Sequence, residues 1–503
     1  MRIKLRRLAL GAALCASMMA GALDAGAKTL KISLTAAMTT KNPYGDSSAQ
    51  WYSIWCQIYG CLGYYDWNTK TYVGQLAHKW ELVDEKTWRF HLRTDLKRHD
   101  GGPSATAADV VHSWRQILDD SESVAKSSVE GVTEMIAVDD HTVDVRSRNA
   151  APLLITRLFD RFAITSKELF EKSGKKAYEA TPFGWGPYKL EEYSYDNRVV
   201  MRRNDSYPGL AADTPDLAVY QLMREPEQRM TALLNGEIQI ARLLPPQLVS
   251  RMQGRSDVKM VTSGSTEWMF LAFNVTFKPW DDVRVRRAAA HAIDKDLIIR
   301  RLFNGYAERL DGPMGPNQIC YEPGYVKPPA YDPEKSKALL AEAGYPKGLS
   351  VDIFSANGRY VMDKQAAEAI TQMLSKAGFD ARLKAPEWAN FWADVRTGKS
   401  PNFYMGRGGV IDPSGPTAEF FETGIMPRIK YSNPKLDAMM RAERAEFDPV
   451  KRCKMMQELS QVIVDEAPML FLWSFKLIYG MAKNVDYPVN ADGEIWLPDV
   501  RMN

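Results

Sequence analysis

The stretch Thr181–Asn204, TPFGWGPYKLEEYSYDNRVVMRRN, constrains this chain more than any other. Gly184, Gly186 and Pro187 force a tight bend, since glycine accepts backbone angles closed to other residues and proline fixes its own φ. Tyr188, Leu190 and Tyr193 then read as a strand, and Val199–Arg202 as a second one after a polar turn at Asp196-Asn197. Upstream the pattern is one of short strands and single helices; from Asp281 onward, helices and strands alternate. A bend between two differently patterned halves is expected to mark a crossing between lobes, and small ligands favour clefts between lobes. Trp185, held inside the bend, is therefore a candidate ligand contact.

A chain of 503 residues exceeds what one core supports, so two or three domains are expected. Arg2, Lys4, Arg6 and Arg7 precede an apolar, alanine-rich run, Leu8–Leu23, and Ala25-Gly26-Ala27 forms an A-x-A site. This is the pattern of a cleaved export signal over residues 1–27, with the mature chain starting at Lys28. Removing its four positive charges and one negative from the chain's 65 and 62 leaves 61 of each. A neutral mature chain argues against a polyanion binder such as a nucleic-acid protein. No later apolar run reaches the roughly 18 residues that span a bilayer. Outside the leader, Cys56, Cys61, Cys320 and Cys453 allow three disulfide pairings, among which sequence does not choose. Cys453 shares a helical stripe with Met456, Leu459 and Ile463, so a buried free thiol is expected there.

Local signals place many elements. Lys28–Leu34 reads as an opening strand and Gln50–Leu62 as a buried helix broken near Gly60. Leu76–Arg93 and Ala137–Arg146 read as hairpins, and Thr106 with Asp109 as a capping box. Glu225–Asn235 is a helix stopped by Gly236, and Phe270–Asn274 a strand. Asp282, Asp294, Asp332-Pro333 and Asp448-Pro449 open helices, Asp-Pro supplying both cap and first residue. Alternation at Leu349, Val351, Ile353 and again at Phe379, Ala381, Leu383 gives strands flanking a helical stripe, Ala366, Ile370, Met373, Ala377. Such alternation predicts a partly parallel sheet with covering helices.

No nucleophile elbow, zinc-protease helix, phosphate-binding loop or dinucleotide fingerprint is present, and the six histidines show no ligand spacing. No catalysis, metal or cofactor is expected. The stretch Thr87–Trp114, TWRFHLRTDLKRHDGGPSATAADVVHSW, resembles the family 5 solute-binding proteins, the peptide- and dipeptide-binding partners of ABC importers. Further similar stretches appear in the family's order: Ile58–Leu62 before it, and GWGPYKL with VVMRRNDSYPG, Ala232–Ala241, Phe273–Ile298 and Tyr331–Gly348 after it. The resemblance implies an α/β, two-lobed periplasmic-binding-protein fold (type II, cluster C-like). It assigns 28–65, 181–272 and 477–503 to the first lobe, 66–180 to a small inserted α+β domain, and 273–476 to the closing lobe. It further implies a periplasmic monomer that closes by a hinge on a small-molecule or short-peptide ligand and presents it to an inner-membrane ABC permease.

In peptide binders of that family an Asp four residues before a Pro holds the ligand amine; Gly409 occupies that position before Pro413, with Asp412 as a substitute. Arg359 and Arg407 are candidates for a ligand carboxylate or phosphate. Trp268, Trp388, Trp392 and Tyr404 complete the candidate set with Trp185, as surfaces for rings, sugars or peptide planes. Three other readings stay open: a non-peptide solute (oligosaccharide, opine or conjugated amino acid), an exported hydrolase, and a signalling receptor using the same closure.

Overall fold

The structure of the protein is a computed structural model that describes residues 27–38, 40–45, 49–121 and 123–503. The export-signal reading, apart from Ala27, lies outside the described residues.

A seven-stranded sheet gathers segments far apart in sequence. Its order is Val258–Ser263, Leu477–Ala482, Ile240–Ala241, Thr29–Leu34, Leu217–Leu222, Arg198–Arg203, Tyr188–Tyr193. The opening strand lies centrally, parallel to Leu217–Leu222 through all six of its residues, with Leu30 and Ile32 fully buried. A second, four-stranded antiparallel sheet, Ala77–Asp84, Thr87–Leu92, Thr142–Ser147 and Val132–Asp139, is covered by the helix Ala107–Asp119. That helix carries the expected capping box, Thr106 accepting from the Asp109 amide and Asp109 from the Thr106 amide. These two sheets share one hydrophobic core.

The bend Gly184–Pro187 is packed backbone to backbone against the end of the helix Ala49–Ile58. Trp185 N donates to Tyr59 O at 2.9 Å and Gly186 N to Ile58 O at 3.0 Å. A Cβ on Gly184 would lie 2.2 Å from Tyr59 Cα, so the sequence requires glycine here for close approach. His99 clamps the bend from the other side. Its Nδ1 accepts from Gly184 N at 3.3 Å and its Nε2 bonds Gly186 O at 3.0 Å, while burial lowers its pKa to about 4, keeping it neutral.

The third sheet is Ala307–Arg309, Met469–Phe475, Trp268–Phe273 and Asn402–Arg407, all antiparallel. In this half of the chain the expected parallel character is carried by the pair Leu349–Phe354 and Phe379–Lys384 and by the parallel bridge from Ser355 to Tyr404 that joins it to the third sheet. The alternating helix–strand pattern was thus a guide to the elements and to the partly parallel pairing, while the antiparallel order of the third sheet rests on long-range contacts. Two cores flank this sheet: Met269, Leu271 and Phe273 point into one, Trp268, Phe270 and Ala272 into the other.

The chain passes between the seven-stranded and the third sheet twice, through residues 264–267 and through Lys476. Ser265 and Ser474, both buried, tie the two passages together, with hydroxyls 2.8 Å apart and Ser474 Oγ donating to Ser265 O at 3.0 Å. Cys453 is not the free thiol expected. It is bonded to Cys320, 133 residues away, and Cys56 is bonded to Cys61. The helical stripe correctly placed Cys453 on the helix Pro449–Glu466, but its partner comes from a loop that no local pattern reveals.

Candidate functional site

The exposed end of the third sheet, beside the passage 264–267, carries a ledge of charged and aromatic side chains. The strand Leu349–Phe354 leads into a loop whose shape is set by Asp363 at the start of the helix Asp363–Lys376. The Asp363 carboxylate accepts from the amides of Gly358 at 3.0 Å, Arg359 at 2.7 Å and Tyr360 at 3.0 Å. An anion collecting several amides at a helix start is a stable local motif. It projects Arg359 into solvent, its guanidinium 5.2 Å from the Tyr360 ring centre and 5.5 Å from that of Trp388. Among the described residues that guanidinium has no hydrogen bond or ion pair of its own. The tip of the loop reaches the seven-stranded sheet's side of the molecule, where Gln247 Nε2 donates to Met362 Sδ at 2.8 Å.

Trp388 and Trp392 open the helix Trp388–Arg396 and stack on each other at 5.8 Å with planes 8° apart. Arg428 covers Trp392 at 4.9 Å and pairs with Glu419 at 2.9 Å; Arg407 pairs with the other Glu419 oxygen at 3.0 Å. Arg407 is thus held within the protein by a carboxylate that it shares with Arg428.

Tyr360 donates its hydroxyl to Gly406 O at 2.8 Å, laying its ring over the strand Asn402–Arg407. A Cβ at Gly406 would lie 2.7 Å from that ring and 3.1 Å from Glu267 Oε1, so glycine leaves the space both occupy. Burial pushes the Glu267 carboxyl up to about 7, while the Arg359 charge pulls it down.

The side chains of the remaining expected residues are buried away from the ledge surface. Trp185 is 1 % exposed and donates its indole N–H to Pro103 O at 2.8 Å, a strut beneath the bend and remote from the ledge. Trp268 is 1 % exposed, donating to Gln318 Oε1 at 3.1 Å, and Tyr404 is fully buried beside Trp473. None of the three offers surface to a ligand in this conformation. Asp412, 8 % exposed, accepts from Arg452 Nη2 at 2.8 Å and from Ser414 N at 3.0 Å. Arg452 also pairs with Glu443 at 2.6 Å, so Asp412 belongs to a buried network and is not open to an amine. At Gly409 a Cβ would lie 2.0 Å from Thr266 Oγ1 and 2.2 Å from its carbonyl carbon, so no acid fits there without moving the strand. Sequence reasoning passed over Glu267, Tyr360, Asp363 and Arg428. Glu267 left a faint trace, an acid in phase with the apolar side chains Met269, Leu271 and Phe273.

Among the described residues no cluster of His, Cys, Asp and Glu is placed to hold a metal, and no helix is long and apolar enough to cross a membrane. The family model for the middle part of bacterial extracellular solute-binding proteins, family 5, matches residues 71–426. The chain belongs to this family. This family 5 protein is 29% identical to the dipeptide-binding protein of Escherichia coli K12 over 507 residues, covering 94% of each chain. It is 25% identical to the glutathione-binding protein GsiB of Pectobacterium atrosepticum over 493 residues, 95% of each. Its fold is similar to that of HbpA2 from Haemophilus parasuis, with a TM-score of 0.86, 22% identity, and 94% of this chain and 100% of that one covered. The architecture is accordingly the mixed α/β periplasmic-binding-protein fold of the family 5 type, and the chain is a solute-binding protein.

Proposed function

We propose that this family 5 protein captures a short peptide, or a peptide-sized polar solute bearing a carboxylate, between its seven-stranded and third sheets. It then delivers that ligand from the periplasm to an inner-membrane ABC permease. The observation that carries this is Arg359: an exposed guanidinium without a hydrogen bond or ion pair among the described residues, braced by Tyr360 and Trp388 on a loop fixed by Asp363. Guanidinium pairs bidentately with carboxylate, and the flanking rings restrict its motion without neutralising it. The relatives named for dipeptides and glutathione support the ligand class. Closure would turn about the two short passages at 264–267 and Lys476, and the ligand must favour the closed state for closure to follow. The protein would act as a monomer and without catalysis.

Gly409 and the Trp388–Trp392 stack favour a second reading, a non-peptide solute such as an opine, an oligosaccharide or a conjugated amino acid, because no acid fits at position 409. Native mass spectrometry on protein purified from periplasm without dialysis separates the two. Release of a ladder of short peptides supports the first reading, and a single non-peptide species the second. Steady turnover of peptides or glycosides would overturn both in favour of a hydrolase.

A further inference from the structure

Four carboxylates of this half of the chain are of a type that could meet a ligand amine, and three are accounted for. Asp363 takes three loop amides, Glu419 bridges Arg407 and Arg428, and Asp412 is locked to Arg452. The fourth, Glu267, is half-buried at the end of the passage between sheets. Its backbone is fixed, the amide donating to Ser265 Oγ at 3.3 Å, and Ser265 is itself bonded to Ser474. Yet among the described residues its carboxylate has neither a hydrogen bond nor an ion pair. The Arg359 charge acts on it through space and does not offset the burial that pushes it up to about 7. A shielded carboxylate without a partner is a standing cost to the fold, relieved when a cation arrives. Its surroundings point the same way: the Tyr360 ring and the glycine backbone at Gly406 form its walls, and neither supplies a donor to it.

We infer that Glu267 is the residue that receives the ligand's protonated amine, with Arg359 taking an anionic group of the same molecule. The inference rests on the solute-binding reading of the ledge given above. It places the amine-binding acid on the strand side of the passage between sheets, one residue beyond Thr266, whose backbone fills the space that a side chain at Gly409 would need. A ligand held by Glu267 touches the segment about which the sheets must turn, so its charge is read at the hinge itself.

The test uses full-length mature protein and two probes: an equimolar library of dipeptides and tripeptides, and the same library N-acetylated. Binding is read by native mass spectrometry and calorimetry. The wild type is expected to prefer free-amine peptides. Glu267→Gln should weaken them by about tenfold to a hundredfold, the range for one charge-assisted bond, and leave acetylated peptides unchanged. Its melting temperature should hold or rise, because an unpaired shielded charge is removed. Glu267→Asp keeps the charge and should keep the preference, which guards against a folding artefact. If wild type binds neither library, the peptide reading fails and this inference with it. If wild type prefers free amines and Glu267→Gln keeps that preference undiminished, the peptide reading stands and the role of Glu267 is overturned.

Discussion

The bend at Gly184–Pro187 and the ledge around Arg359 are built from similar parts and have opposite fates. Each sets tryptophan beside a tight turn, and each has a titratable group under strong desolvation. At the bend the polar side chains and amides are answered: the Trp185 indole by Pro103 O, both His99 nitrogens by glycine backbone, the Trp185 and Gly186 amides by the end of a helix. On the ledge the Arg359 guanidinium and the Glu267 carboxylate are left without partners among the described residues. Aromatic content therefore does not mark a binding surface. Unanswered charge on a fixed backbone does, because a protein seldom shields a charged group that it neither pairs nor uses.

The sharpest way to break this comparison is Trp185→Ser. Removing a buried indole that braces a bend should cost about 3–5 kcal/mol, seen as a large fall in melting temperature, with the ligand preference of the folded fraction intact. A shifted preference with little loss of stability would return Trp185 to the binding surface. Next in size is Arg359→Ala. Loss of a charge-assisted bond should weaken a carboxylate ligand by about 1.5–3 kcal/mol in calorimetry, with the melting temperature of the free protein unchanged.

The ledge should also show a pH response that the bend lacks. The ionised form of Glu267 is the one that holds an amine, so binding is present above its pKa and lost as pH falls through about 7. Between pH 7 and 6 the ionised fraction drops roughly fivefold, about 1 kcal/mol, while a peptide amine stays protonated. The charged and titratable groups that act on Glu267 are Arg359, Tyr360 and Tyr404, and burial raises both tyrosine hydroxyls, away from that window. Arg359→Ala should move the midpoint upward by removing the one opposing charge, and Glu267→Gln should abolish the response. The smallest effect is expected at Trp392→Ala. It removes the ring beneath Arg428, which stays paired with Glu419, and should weaken binding by only about 0.5–1 kcal/mol, the scale of one cation–π contact.

What was legible in the sequence was local. The Asp-Pro starts at Asp332 and Asp448 and the Thr106 capping box appear as read, because a cap is decided within four residues. Alternation found Leu349–Phe354 and Phe379–Lys384 because a strand's two faces are written in its own residues. The ordered stretches from Thr87 to Gly348 were sufficient to indicate the family. Tertiary structure alone decided the rest. Trp185 is core because Pro103 and Tyr59 close over it, and Cys453 is bonded because Cys320 arrives from 133 residues away. Whether an acid or an arginine is paired or waiting depends on what other segments bring to within bonding distance. Arg452 reaches Asp412 from 40 residues along the chain, and among the described residues no such partner reaches the Glu267 carboxylate. Spacing along the chain carries backbone geometry well; the pairing of a charge is settled by neighbours that spacing does not encode.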